Sequence, residues 1–196
     1  ETVTEAEYSS VFWANSFFGI IIFAFFYLIS PYAAYFFNEP ELKWLVRVLG
    51  FDLIIRSATI IQVTTLTKRV DFKLQAKITV ISGILSGIIG IYMAVSGYGV
   101  WSLVARSLAA AFFSSLFLWL WNKWRPSLLF DKNSFKELFS FGGKLMLSGL
   151  IDTLFKNIYY LIIGKAFSAK DLGYYARADQ FSTFPANNLM NIIGRV

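Results

Sequence analysis

Apolar residues in this chain come in blocks about as long as a bilayer is thick, separated by short polar stretches. A helix needs roughly 20 consecutive apolar residues to cross the hydrocarbon core. Residues 11–37 are the first such block, nearly free of charge, with Asn15 near the start and Pro31 late. A proline there predicts a kink or the end of the straight part of the helix. Pro40 suits the first turn of a second helix over 42–66, which is the least apolar block and holds Arg47, Asp52, Arg56 and Gln62. Residues 78–95 form the third, with Ser82, Gly83, Ser86 and Gly87 inside it. Gly83 and Gly87 have the small-xxx-small spacing that lets two helix backbones approach closely. Glycine is also simply common in membrane helices, and the spacing alone leaves both readings open. Residues 100–121 form the fourth block, with Arg106 inside it, Trp101 at one end and Trp119, Trp121 and Trp124 at the other, as in interfacial aromatic belts. After an amphipathic piece over 134–139, expected to lie along the membrane surface, residues 140–164 make a fifth block and residues 174–196 a sixth. The pattern predicts an all-α polytopic membrane protein with about six transmembrane helices.

Composition supports that class. The chain has 196 residues, 57% hydrophobic and only 15% charged, against roughly 45–50% and 25% in soluble domains. It has no cysteine and no histidine, so a disulfide framework, a thiolate nucleophile and the commonest general base and metal ligand are all excluded. There is no phosphate-binding glycine loop and no metal-ligand motif, so neither an enzyme nor a cofactor or metal site is expected. The net charge of +6 is divided between loops and spans instead of forming one basic stripe, which argues against a nucleic-acid partner. The chain opens on Glu1 and ends inside an expected helix, so a piece of a longer protein is the expectation.

Loop charge sets an orientation. The loops after the second and fourth spans hold Lys68, Arg69, Lys73, Lys77, Lys123, Arg125, Lys132 and Lys136. The other three loops hold Lys43, Lys165 and Lys170. The positive-inside rule therefore places the basic stretches 67–77 and 122–136 in the cytoplasm.

The charges inside the spans are the candidate chemistry. In the fifth block, Lys144, Ser148, Asp152, Lys156 and Tyr159 fall within roughly 120° of one another at about 100° per residue. Leu147, Leu154, Ile158 and Leu161 occupy the opposite arc. In lipid the charged wall must turn toward protein or a water-filled cavity. The spans together carry seven cations (Arg47, Arg56, Arg106, Lys144, Lys156, Arg177, Arg195) and three acids (Asp52, Asp152, Asp179). Structural readings stand beside the functional one. Arg47 and Arg195 lie near helix ends, where long side chains snorkel to the headgroups, and Lys144 is within reach of the interface. Asp52 with Arg56 and Asp152 with Lys156 are spaced to neutralise each other, and Arg177 has Asp179 as a further candidate partner. Cations still outnumber acids, and a surplus of positive charge at lipid depth predicts an anionic ligand such as phosphate or carboxylate.

The stretches FFNEPELKWLVRVLGF, GYGVWSLV, WRPSLLFDKNSFKELFSFG and LIIGKAFSAKDLGYYARADQF, in this order, resemble the Wzx-type polysaccharide flippases of the MATE-like MOP exporter superfamily. The resemblance implies an intact protein of two helical lobes, of which this chain covers the third to eighth helices. Residues 1–122 would end the N-terminal lobe, residues 123–134 would form the cytoplasmic inter-lobe loop, and residues 135–196 would begin the C-terminal lobe. It implies transport of undecaprenyl-pyrophosphate-linked oligosaccharide across the bacterial inner membrane through a cavity that opens alternately to each side. Residues 139–164 and 174–196 would line that cavity. Lys144, Lys156, Asn157, Arg177, Arg106 and Arg56 would bind substrate. Asp52, Asp152 and Asp179 would pair with the cations or couple ions. Tyr159 stands where relatives often have an acid, which departs from the pattern for ion coupling there. The implied partners are the lipid-linked oligosaccharide, membrane lipid, and the polymerase and glycosyltransferases of the pathway. The alternatives are a MATE-like small-molecule exporter, which the cation surplus disfavours, a membrane polymerase or ligase, which usually carries a large periplasmic loop, and a purely structural membrane subunit.

Overall fold

A computed structural model describes residues 5–127 and 132–193, excepting the side chains of 132–138, 140, 141 and 185–193. Arg195 therefore lies outside the described residues, as do the side chains of Pro185, Asn187, Asn188 and Asn191. The described chain is helical throughout, in seven helices: α1 (Glu5–Phe37), α2 (Leu42–Ser57), α3 (Ile60–Lys68), α4 (Phe72–Val95), α5 (Val100–Trp121), α6 (Lys132–Ala166) and α7 (Ala169–Ile193). The protein is all-α. Among the described residues four helices are long and apolar enough to cross a membrane: α1, α4, α5 and the Gly142–Ala166 part of α6. At 1.5 Å per residue, α4 spans about 36 Å, enough for the hydrocarbon core.

The first helix runs to Phe37, the end read from sequence, with Pro31 inside it. Three expectations from sequence look different here. The second block is broken in two at Ala58 and Thr59, and α2 alone covers only about 24 Å. The piece over 134–139 is continuous with α6, which begins at Lys132. The sixth block starts early, at Ala169. There Ser168 and Asp171 cap the helix reciprocally, the Ser168 amide donating to Asp171 Oδ2 and the Asp171 amide to Ser168 Oγ.

The chain divides into two units, residues Glu1–Phe139 and Ser140–Val196. In the first, α1 packs on α2, α2 on α5 and α5 on α4, while short α3 touches α1, α4 and α5. Two apolar clusters hold one end of this unit. Phe12, Ile61 and Trp124 form one, with Tyr8, Val11 and Trp119 against it. Leu66, Ile78 and Leu118 form the other, with Leu74, Phe117 and Trp121. The α4–α5 contact uses a stripe of small residues, Ser82, Ser86 and Gly90, all buried. A Cβ on Gly90 would lie 2.9 Å from Arg106 Cβ, whereas a Cβ on Gly83 or Gly87 would meet nothing within 4 Å. The close approach foreseen from small residues therefore exists, one residue away from the glycine pair. In the second unit α6 and α7 meet at Tyr160, whose ring packs edge-on against Tyr175 with centroids 5.2 Å apart.

Candidate functional site

The first unit carries an open cavity of about 770 Å³, and Arg56, Thr59, Thr79, Ser82, Ser86, Arg106, Ser107 and Ser114 supply its polar lining. Each is placed by a local feature of the sequence. Arg56 closes α2, and Thr59 sits in the break before α3. The break has a cause in the side chains around it. Ser57 Oγ donates to the Ile54 carbonyl, and Thr59 Oγ1 donates to the carbonyls of Ile55 and Arg56. Hydroxyls that bond to preceding carbonyls offer the backbone an alternative to the helical ladder. Helix α3 then starts afresh at Ile60, and first-turn amides have no carbonyls of their own helix to bond. A helix interrupted beside a cavity is how transporters bring backbone groups to bear on a ligand at membrane depth.

Across the cavity α4 offers Ser82, 3% exposed, with no partner for its Oγ. Ser86 is also buried but donates to the Gly83 carbonyl at 3.1 Å. Helix α5 contributes Arg106, whose stem rests on Gly90. The lining extends down α5 as far as Leu118, twelve residues or about 18 Å along the helix. The cavity is thus a long groove with hydroxyls along it, lined by Arg56 from α2 and Arg106 from α5.

The arginines differ electrostatically. Arg56 Nε holds Asp52 Oδ2 at 2.6 Å, so the neutralising pair expected from the four-residue spacing is formed. The other carboxylate oxygen of Asp52 is buried without a partner. Arg106 has no acidic partner within ion-pair distance among the described residues, so its charge is left to the cavity. The sequence reading singled out both arginines, named Ser82 and Ser86 only as small residues of the third span, and passed over Thr59, Ser107 and Gly90. The serines had a signal in their four-residue repeat, which runs through Gly90.

The remaining candidates lie in the second unit. Lys156 Nζ pairs with Asp152 Oδ2 at 2.6 Å, both side chains largely exposed. Lys144 is exposed on the same helix, eight residues or about two turns before Asp152. Asn157 Nδ2 is engaged with the Thr153 carbonyl at 2.8 Å. Arg177 and Asp179 do not pair. Arg177 Nη1 donates to Gln180 Oε1 at 3.1 Å, and Asp179 Oδ2 instead accepts from Tyr160 Oη at 2.7 Å. Among the described residues no group of three His, Cys, Asp or Glu side chains is placed to hold a metal.

The family model for polysaccharide biosynthesis proteins matches residues 1–196. The chain belongs to this family. It is similar to the teichuronic acid biosynthesis protein TuaB of Bacillus subtilis, at 30% identity over all of this chain and 41% of the relative. It is also similar to the succinoglycan biosynthesis transport protein ExoT of Rhizobium meliloti, at 22% identity over 94% of the chain and 37% of the relative. The amylovoran biosynthesis protein AmsL of Erwinia amylovora is 24% identical over 100% of the chain and 51% of its own length. The chain thus spans about half or less of these curated relatives. No solved structure matches it. Membership of the polysaccharide biosynthesis protein family agrees with the Wzx-type resemblance carried by the sequence motifs.

Proposed function

We propose that the protein containing this chain moves lipid-linked oligosaccharide across the bacterial inner membrane, for export or surface polysaccharide synthesis. The observation that carries this reading is the groove of the first unit, lined by helices α4 and α5 that are long and apolar enough to cross a membrane, where Arg106 has no acidic partner among the described residues and hydroxyls line the remaining length. A guanidinium without an acidic partner is suited to hold phosphate through charge-assisted, bidentate hydrogen bonds, and serine and threonine hydroxyls both donate to and accept from sugar. Transport, and not catalysis, suits a chain without histidine or cysteine. A cationic-drug exporter would need an acidic cavity, and this one carries two arginines with Asp52 already engaged by one of them. Family membership and the relative named as a transport protein support the same reading.

Lys144, Lys156 and Arg177 are assigned in the same proposal to an anion-attracting face of the second unit, with Asp52, Asp152 and Asp179 as charge partners or ion-coupling groups. The basic stretches 67–77 and 122–136 are assigned to the cytoplasm, and the boundary between lobes to residues 123–134. The test is transport by the full-length protein. Arg106→Gln should lower export of surface polysaccharide at least tenfold while the protein stays in the membrane, and Arg106→Lys should restore part of it. Normal export by Arg106→Gln would remove the basis for the proposal.

A further inference from the structure

Three basic side chains at one end of the first unit lie over aromatic rings. Lys68 Nζ is 5.6 Å from the Tyr8 ring centre, Lys77 Nζ is 4.4 Å from Trp121, and Arg125 Cζ is 5.5 Å from Trp119. The packing of Leu66, Ile78 and Leu118 brings the end of α3, the start of α4 and the end of α5 together there. Arg69, Lys73 and Lys123 are exposed at the same end. Among the described residues the acids nearby are Glu5 and Glu7 in the first turn of α1 and Asp71, which spends one oxygen capping the Leu74 amide. Positive charge dominates this rim.

One part of the rim has the shape of a lipid. Phe113, Phe117 and Trp121 follow one another at four-residue intervals along α5, stacked with centroids 6.4 and 4.8 Å apart. All three are half-buried, Phe117 and Trp121 against the Leu66, Ile78 and Leu118 cluster, and their remaining faces form an apolar track parallel to the helix axis. Lys77 stands over the last ring of that track, and Lys73 is one turn away on the same face of α4. A lysine over a ring face keeps N–H donors free, and the ring holds it at the level where apolar side chains give way to polar ones.

We propose that this track and its two lysines bind an anionic phospholipid of the surrounding bilayer. An acyl chain lies along Phe113, Phe117 and Trp121, and the headgroup phosphodiester meets Lys73 and Lys77. Lys68, Arg69 and Lys123 add to the field that draws the headgroup in. None of Phe113, Phe117, Trp121, Lys73 and Lys77 lines the cavity that holds Arg106. A basic residue near an anionic surface strengthens binding roughly fivefold, so the pair selects anionic over zwitterionic lipid by more than tenfold.

Tryptophan fluorescence of the purified full chain tests this, in phosphatidylcholine bilayers containing a minor fraction of acyl-brominated lipid. Brominated phosphatidylglycerol should quench several-fold more than brominated phosphatidylcholine at the same mole fraction, and Trp121→Phe should remove most of the difference. Lys73→Gln with Lys77→Gln should abolish the preference, Lys73→Arg with Lys77→Arg should keep it, and Lys43→Gln should leave it unchanged. Equal quenching by the two lipids, or a preference that survives the double glutamine change, would overturn the proposal.

Discussion

Arg47 Nε donates a 2.9 Å hydrogen bond to Ser30 Oγ, joining α2 to α1 at a proline. Pro31 has no amide hydrogen, so the Tyr27 carbonyl four residues earlier loses its helical donor. Ser30 Oγ fills that gap, donating to Tyr27 O at 2.8 Å. The Arg47 guanidinium lies 4.1 Å from the Tyr27 ring centre. One arginine thus satisfies the hydroxyl that repairs the helix and stacks on the residue whose carbonyl was orphaned. Arg47 is engaged by α1 through Ser30 and Tyr27, contacts that the sequence reading did not foresee.

Ser30→Ala is therefore expected to cost about 1–3 kcal/mol, the penalty for leaving buried polar groups unpaired. Ser30 is 0% exposed, so water cannot replace the lost bonds. Arg47→Lys should lose most of the same stability, since an ammonium lacks the planar fork that bonds and stacks at once. Denaturant titration of the protein in detergent would measure both changes, and a Ser30→Ala variant as stable as the parent would contradict the linkage.

The α4–α5 contact gives a sharper contrast. Gly90→Val should force α4 away from the Arg106 stem and cost about 1–3 kcal/mol as overpacking. Gly83→Ala and Gly87→Ala should be neutral or stabilising by up to about 1 kcal/mol, because a methyl there meets open space and alanine is the better helix former. Thermal melts of the three variants would decide which stripe of small residues faces the neighbouring helix.

Much of this fold was legible in the chain, and the parts that were not share a physical reason. Helix α5 has the bounds read from apolar periodicity, and the Asp52–Arg56 and Asp152–Lys156 pairs followed from four-residue spacing on one helix. Both depend only on local geometry. The α2–α3 break has no proline or glycine to mark it. Its cause is the run Ser57, Ala58, Thr59, whose hydroxyls compete for carbonyls, a signal weaker than the surrounding hydrophobicity. The partners of Arg47, Asp179 and Arg106 could not be read because they depend on which helix lies alongside. Arg177 and Asp179 are two apart, on different faces of α7, so the expected pair lost to Tyr160 on α6.

The two ion pairs should behave differently despite equal 2.6 Å distances. The Asp152 and Lys156 side chains are 60% and 71% exposed, and a surface pair of that kind contributes about 0.3–0.5 kcal/mol. The Asp52 side chain is only 19% exposed. Arg56→Gln would leave that carboxylate short of its partner and should cost about 1–3 kcal/mol, while Asp52→Asn with Arg56→Gln should recover most of the loss. A double-mutant cycle on each pair, read by denaturant titration, should give a clear coupling for Asp52–Arg56 and nearly none for Asp152–Lys156.

Tyr160 provides the last test, because it joins the two helices of the second unit through one proton. Its hydroxyl donates to Asp179 Oδ2 at 2.7 Å, a bond to a charged acceptor, worth roughly 1.5–3 kcal/mol. Tyr160→Phe keeps the edge-on contact with Tyr175 and removes only that bond, so the loss should fall in the same range. Tyr159→Phe, one position away and exposed, should change stability by less than about 0.5 kcal/mol. If Asp179 is an ion-coupling group, Tyr160→Phe should also alter the ion dependence of transport while Tyr159→Phe does not. A Tyr160→Phe protein with unchanged stability and unchanged ion dependence would mean that Asp179 is held by groups other than this tyrosine.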